Sequence, residues 1–299
     1  MNYILLIFSI LVNLIACGII RSAFCKKDVK NNSDLYLFNT VSSLLSMITL
    51  IVIAVCRTGL AIPSMYTIIL GLLFGIITAL CALLNMKSLE IGPLSYTTVI
   101  VSCSMLIPSL SGMILYQEEI SLWQYAGAVF MVLSFLCAAD KKNDKLGVSV
   151  KWFVFCIGTF LFNGGIGVMQ KIHQNSAHKD ELDAFLIIAF GASAVFSLAM
   201  MLYCKTVKKE NVTVIGKGKS GKFTIIGIIS GVGIALCNII NMYLAGAMDA
   251  IIFYPIVNGG CMILTALAGV LMWREKLSRK QWTGVILGLI AVILLCDVL

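Results

Sequence analysis

The residues best suited to bind a ligand are uncharged polar side chains that lie inside long apolar stretches. Their amide and hydroxyl groups donate and accept hydrogen bonds without carrying a charge at neutral pH. Because burying an unpaired amide in an apolar environment is costly, each must face a neighbouring helix or a polar cavity. The candidate binding residues are Asn13, Tyr96, Thr97, Ser102, Asn163, Gln170, Tyr254 and Asn258.

Two interpretations stay open for most of these residues. Asn13 and Asn163 occupy the middle of their apolar runs, where an amide either joins two helices or contacts a substrate. Gln170 lies near the end of its run, which favours a role facing a connector. The segment YPIVNGG at 254–260 would either break a helix and release carbonyl groups for a ligand, or form a kink that neighbouring helices tolerate.

Catalytic and metal-binding chemistry finds little support in the chain. A cluster of two His and three acidic residues between 173 and 183 is better explained by an exposed polar connector than by a metal site. The segment GKGKSGK at 216–222 nearly matches a phosphate-binding loop, but Phe223 stands where Ser or Thr is required. No HExxH or GxSxG motif appears. We therefore expect no enzyme activity, no metal and no cofactor.

The composition indicates an integral membrane protein. Of the 299 residues, 60% are hydrophobic and 12% are charged, whereas a soluble domain has about 45–50% apolar and about 25% charged residues. So few charged side chains cannot cover the surface of a soluble protein of this length. This excludes an ordinary soluble enzyme and a nucleic-acid-binding domain, so nucleic acid is not an expected partner despite the net charge of +8.

Ten apolar runs divide the chain. None has a charged residue in its interior, and each is long enough to cross a hydrocarbon layer of about 30 Å. Because backbone groups in lipid must form hydrogen bonds within their own segment, we expect helices that surround an uncharged chamber. The runs are roughly 3–20, 35–56, 64–86, 92–116, 122–139, 152–170, 184–204, 223–245, 250–273 and 281–298.

Positive charge alternates between the connectors. Nineteen of the 22 Lys and Arg residues follow odd-numbered runs, and the other three are Arg57, Lys171 and Lys179. Since Lys and Arg accumulate on the cytoplasmic side, the odd-numbered connectors are expected there and both termini outside. Arg21 is the first of the connector charges. Its position after the first apolar run favours a retained helix over a signal peptide.

An internal repeat relates the two halves of the chain. A shift of 156 places the GxxxG pair of 71–75 on that of 227–231, and a shift of 150 places Asn13 on Asn163. Both GxxxG pairs predict close helix packing. Asn85 and Asn241 also match, and their places near the ends of runs favour helix caps.

The repeat predicts an all-α fold of ten transmembrane helices. Residues 1–140 and 151–299 would be five-helix units, and 141–150 a basic linker. Because five is odd, the second unit must enter the membrane upside down. Inverted repeats around a midplane site are typical of secondary transporters.

The two repeat ends carry a motif. Segment 108–137, PSLSGMILYQEEISLWQYAGAVFMVLSFLC, has a Pro-bearing helix, an acidic turn with Ser and Gln, and a Gly-bearing helix. Segment 254–296 repeats this pattern with YPIVNGG and WREKLSRKQWTGVILGLIAVILLC. Both resemble the drug/metabolite transporter superfamily, in its EamA-like branch.

The resemblance implies a 5+5 inverted repeat whose helices 1–4 and 6–9 line a central cavity, with helices 5 and 10 at the periphery. It implies transport of small metabolites by alternating access. The chain departs from the family in two respects. Family members are generally drawn with both termini in the cytoplasm, whereas the charge pattern of this chain predicts both termini outside. The small multidrug resistance relatives use a glutamate in helix 1, which is missing here; this disfavours proton relay and cationic-drug antiport.

The sequence therefore predicts a secondary transporter for a small polar metabolite such as an amino acid, a sugar or a related organic solute. We expect a multi-pass protein of the cell membrane, in a bacterial plasma membrane, surrounded by lipid and working as a monomer or homodimer. The alternative is a flippase for a lipid-linked head group, which would require a lateral opening between helices.

Overall fold

The computed structural model of the chain describes residues 2–57, 62–117, 121–138, 149–214, 220–274 and 278–295. These residues form helices, and no strand occurs among them. The helices are α1 Asn2–Asn13, α2 Arg21–Lys27, α3 Asn32–Arg57, α4 Met65–Ile91, α5 Leu94–Ser102, α6 Leu106–Tyr116, α7 Leu122–Ala138, α8 Val150–Gln174, α9 Leu182–Thr206, α10 Ser220–Ala247, α11 Ala250–Trp273 and α12 Arg279–Leu295. A π-helical segment, Leu14–Ile20, joins α1 to α2, and a 3₁₀ segment, Cys103–Met105, joins α5 to α6.

Six stretches of the described chain are long and apolar enough to cross a membrane. They are Asn2–Lys27, Asn32–Arg57, Met65–Ile91, Val150–Gln174, Lys179–Thr206 and Gly221–Ala247. This agrees with the prediction of an all-helical polytopic membrane protein.

The helices α7 and α12 have 17 residues each, slightly fewer than the about 20 that a span normally needs. The count of ten spans and the inverted repeat stay predictions, as do the unit boundaries. Of the predicted linker 141–150, residues 141–148 lie outside the described part of the chain.

The helices pack in matched pairs. Helix α4 packs against α8 and α9, and α10 packs against α1 and α3. Helix α6 contacts α8, and α11 contacts α1. Three further pairs join the two parts of the chain directly, namely α3 with α9, α5 with α11, and α7 with α12.

Both GxxxG pairs lie at close helix contacts. A Cβ atom added at Gly75 would overlap the carbonyl oxygen of Ala189 on α9 and lie 2.8 Å from the Cβ of Ala192. A Cβ atom added at Gly231 would lie 2.6 Å from the Cβ of Leu45 on α3. The predicted close packing is confirmed, because only glycine lets these backbones approach so far.

Polar connectors meet at one end of the helices. Asp34 is completely buried and accepts hydrogen bonds from the backbone N–H of Thr213 at 2.7 Å, of Val214 at 3.2 Å and of Lys30 at 3.1 Å. The Thr213 hydroxyl donates a further bond to Asp34 at 2.7 Å. This end thus brings together the connectors after the first and seventh apolar runs.

The N-terminus of α4 is held by the 173–183 cluster. The carboxylate of Glu181 accepts hydrogen bonds from the backbone N–H of Ser64 at 2.9 Å and from its hydroxyl at 2.8 Å. His178 Nδ1 lies 3.2 Å from the other carboxylate oxygen of Glu181. The Ser64 hydroxyl in turn caps α4 by accepting from the N–H of Thr67. These contacts give the cluster a structural task, which is to fix where α4 begins.

The predicted caps at Asn85 and Asn241 are wrong. Helix α4 continues to Ile91 and is capped at Gly92, and α10 continues to Ala247. The polar residues after Asn85 do not end the helix, because Lys87 and Glu90 form an ion pair of 3.0 Å along its side. An i,i+3 pair of this kind supports a helix instead of terminating it.

Candidate functional site

A cavity of about 270 Å³ lies at the centre of the helices. The described residues that line it belong to α1 to α6, to α8 to α11 and to the two irregular segments; none belongs to α7 or α12. Asn, Ser and Thr supply much of the polar part of the wall. A concave site with several hydrogen-bonding side chains and an apolar remainder is the usual form of a small-molecule site.

The predicted binding residues converge on this cavity. Its lining includes Asn13, Thr97, Ser102, Asn163, Gln170, Tyr254 and Asn258. Tyr96 belongs to α5, but its side chain lies outside the part of the chain that the structure describes. Gln170 faces the cavity and is 5% exposed, so the interpretation that it faces a connector is wrong. Helix α8 extends to Gln174, which leaves Gln170 a full turn inside the helix.

Several of these side chains already have partners in the protein. The Asn163 amide donates to the Ser104 hydroxyl at 2.6 Å. The Tyr254 hydroxyl donates to the Gly167 carbonyl at 2.6 Å, which joins α11 to α8. Thr97 accepts from the Trp152 indole at 3.0 Å. These contacts hold helices together, and they reduce the capacity of the three groups to bind a ligand.

Three amides have no such partner. Among the described residues, nothing forms a hydrogen bond with the side chains of Asn13, Asn85 or Gln170, although all three line the cavity. A polar group without a protein partner needs water or a ligand. We infer that these three amides are the hydrogen-bonding groups that are available to a solute.

Several residues that line the cavity were not predicted from the sequence. Asn39 lines the cavity and donates to the Ser197 hydroxyl at 2.7 Å, and Ser43 lies 3.0 Å from Ser193, oxygen to oxygen. Asn85 and Asn241 also line it, although the sequence suggested helix caps. The repeat itself contained the signal, because the shift of 150 places Ser43 on Ser193 and the shift of 156 pairs Asn85 with Asn241.

The expected uncharged chamber is wrong at one position. Arg21 lines the cavity and is 8% exposed. The sequence placed it in a connector because the apolar run ends before it. In the structure the helix continues through α2 to Lys27, so Arg21 projects from a helix and not from a loop.

The irregular backbone is also not where the sequence suggested. Helix α11 is continuous from Ala250 to Trp273, so the segment 254–260 does not break it. The irregular backbone lies instead at Leu14–Ile20, directly after Asn13, and at Cys103–Met105. Gly18 and Ser104, one from each segment, line the cavity. π-Helical turns inside α-helices are frequent at functional sites.

Comparison with known proteins agrees with this architecture. Residues 4–139 match the model of the EamA-like transporter family. Over these residues, the chain is similar to EamA-like transporters. This match is consistent with the drug/metabolite transporter superfamily, and it favours a membrane transporter.

The chain also resembles known proteins over longer stretches. An uncharacterized protein of Haemophilus influenzae is 23% identical over 210 residues, which are 69% of this chain and 67% of that protein. A solved crystal structure aligns with 98% of this chain and 97% of its own length, with a TM-score of 0.62 and 12% identity. At this identity the likeness concerns the fold alone.

The partnered and unpartnered amides of the cavity should respond differently to substitution. We expect Asn13→Ala to weaken solute binding about tenfold while stability changes by less than about 0.5 kcal/mol, because no protein contact is lost. We expect Asn163→Ala to lower the free energy of unfolding by about 1–2 kcal/mol, because the Ser104 hydroxyl loses its partner. Ligand titration and detergent-induced unfolding of both variants test this. The distinction fails if the two variants lose binding and stability equally.

Proposed function

We propose that the chain is a secondary transporter that moves a small polar metabolite through the central cavity by alternating access. The observation that carries this proposal is the cavity itself, which is lined by ten helices and by three amides that have no hydrogen-bond partner among the described residues. It supports a single chain as the transporting unit, because both parts of the sequence contribute to its wall. We place the protein in a bacterial plasma membrane, with the connectors after the odd-numbered runs on the cytoplasmic side.

Matched contacts support a 5+5 inverted repeat. The Cys81 thiol donates to the Thr159 carbonyl at 3.8 Å, and the Cys237 thiol donates to the Ser9 carbonyl at 3.5 Å. The shifts of 156 and 150 relate Cys81 to Cys237 and Ser9 to Thr159, so one contact is the counterpart of the other. Two units related in this way can exchange conformations, which is the basis of alternating access.

The size of the cavity supports a small solute. Ligand pockets usually measure about 300–1,000 Å³, and this cavity measures about 270 Å³. An amino acid or a small organic acid suits that volume better than the head group of a glycolipid. A flippase is therefore the second candidate function, and the transport experiment below distinguishes it from a solute transporter.

The experiment is reconstitution of the purified protein into liposomes. A thermal-shift screen of amino acids, sugars and organic acids selects stabilising solutes, which are then offered as labelled substrates for uptake and counterflow. Saturable counterflow of a stabilising solute supports the proposal, with protein-free liposomes as the control. A stabilising solute that never crosses the membrane contradicts it. Movement of a lipid-linked head group between leaflets, without solute flux, indicates the flippase.

Uptake should depend little on pH. Among the described residues that line the cavity there is no Asp, Glu or His, and these are the side chains that normally relay protons in membranes. Between about pH 6 and about pH 8 we expect the initial rate to change less than about twofold for a solute whose own charge is constant in that range. A proton gradient that drives accumulation more than about tenfold would contradict this expectation.

A further inference from the structure

We propose that the solute of this cavity carries an anionic group, a carboxylate or a phosphate, and that the guanidinium of Arg21 binds it. The inference rests on the proposed transport function, since it names the chemical class of the solute. The starting observation is that Arg21, a cation, lines a cavity that the sequence predicted to be uncharged. Arg21 is the first residue of α2 and follows the π-helical segment directly.

The Arg21 side chain is buried, and no described residue forms an ion pair with it. It is 8% exposed, and its Nε atom has no hydrogen-bond partner among the described residues. No ion pair joins it to any described carboxylate. Arginine keeps its proton in proteins, so the burial cannot be relieved by neutralisation. A buried charge is normally paired, because its desolvation otherwise costs several kcal/mol.

The acidic residues at this end of the helices are engaged elsewhere. Glu90 pairs with Lys87 at 3.0 Å, and Asp28 pairs with Lys222 at 2.8 Å. Asp34 accepts hydrogen bonds from the connectors at 30 and 213–214. No Asp or Glu is among the described residues of the cavity wall. Since no described carboxylate is available, we infer that the counter-charge for Arg21 arrives with the solute.

The rest of the wall suits a small anion. A guanidinium presents a planar fork of N–H donors that matches the two oxygens of a carboxylate or phosphate. Asn13 and Asn85, whose amides have no protein partner among the described residues, can hydrogen-bond the remainder of the molecule. Zwitterionic and anionic metabolites fit this arrangement, whereas cationic solutes do not.

The test compares solutes of equal size that differ in charge. Purified wild-type protein is titrated with lactate, pyruvate and succinate, with the corresponding uncharged amides, and with inorganic phosphate; binding is followed by thermal shift and calorimetry. We expect at least one anion to bind about 30- to 100-fold more tightly than its uncharged amide, as for a charge-assisted hydrogen bond. This comparison needs no variant, so a folding defect cannot obscure it.

Variants then assign the effect to Arg21. Arg21→Gln should reduce the preference for the anion to less than about threefold, and Arg21→Lys should retain about a tenth of the wild-type affinity because the charge remains without the fork. Arg57→Gln, which removes an exposed cation from the end of α3, is the matched control and should bind as the wild type does.

Each other result overturns the inference. Anions and amides that bind equally would show that Arg21 does not recognise charge. Stabilisation by phosphatidylglycerol nanodiscs, lost in Arg21→Gln and absent with every soluble anion, would assign the guanidinium to lipid. If uncharged solutes undergo counterflow at equal rates in the wild type and Arg21→Gln, the anion site is wrong while transport stands. If no solute crosses the membrane, the transport function itself has failed.

Discussion

Replacing Asp34 with alanine should lower the free energy of unfolding by about 3–5 kcal/mol, the largest effect that we expect from a single substitution in this chain. The carboxylate is completely buried. It accepts from three backbone N–H groups and one hydroxyl, which belong to residues 30, 213 and 214. Removing it leaves these donors without their acceptor. Since Asp34 joins the connector after the first apolar run to that after the seventh, both should loosen together.

Unfolding in a detergent titration, followed by circular dichroism, measures this effect. Asp180→Ala is the matched control, because Asp180 is exposed and surface substitutions usually change stability by less than about 0.5 kcal/mol. Asp34→Asn should fall between the two, since its amide keeps one acceptor oxygen but turns an NH₂ group towards other donors. A loss of less than about 1 kcal/mol for Asp34→Ala would show that water replaces the carboxylate.

Gly75→Ala should destabilise the protein by about 3 kcal/mol, although it adds a single methyl group. The added Cβ would overlap the Ala189 carbonyl and approach the Cβ of Ala192. Neither atom can move without shifting the backbone of α9. The same substitution normally stabilises a helix by about 1 kcal/mol. Destabilisation by Gly75→Ala would therefore indicate the close contact between α4 and α9.

Gly165→Ala provides the control for this contact. Gly165 lies on α8, and nothing lies within 4 Å of a Cβ built there. We expect this variant to be neutral or slightly more stable. Gly231→Ala, at the matched position on α10, should behave as Gly75→Ala does, because the added Cβ would approach Leu45 and Ser42 on α3. Equal unfolding midpoints for Gly75→Ala and Gly165→Ala would contradict the proposed packing.

The sequence predicted which side chains come together better than it predicted their tasks. Asn13 and Asn163 occupy matched positions, and both line the cavity, yet among the described residues only Asn163 has a hydrogen-bond partner. Hydropathy and spacing cannot distinguish them, because the partner, Ser104, lies 59 positions away on a 3₁₀ segment. The task of each amide depends on how the neighbouring helix is rotated.

Asp34 shows a signal that the sequence contained and that we did not use. Asn31 and Asp34 are spaced as in a capping box, and the Asn31 side chain does accept from the N–H of Asp34 at 3.0 Å. The pattern predicts the start of α3 but not the bonds to Thr213 and Val214, since those residues lie about 180 positions away. Short-range patterns report local bonds, and only the packing of the helices brings distant connectors to the same carboxylate.

What the sequence determined by itself is the class of the molecule. A chain with so few charges and such long apolar stretches has to satisfy its backbone within helices, because lipid offers no hydrogen bonds. The matched glycines likewise required close helix contacts. The tertiary structure alone decided where the polar groups point and which of them stay without partners. Arg21 shows the difference, since the end of an apolar run predicts a connector charge, whereas the helix continues and turns the guanidinium into the cavity. Hydropathy is calculated from consecutive residues, whereas the burial of a side chain depends on neighbours that are distant in the sequence and close in space.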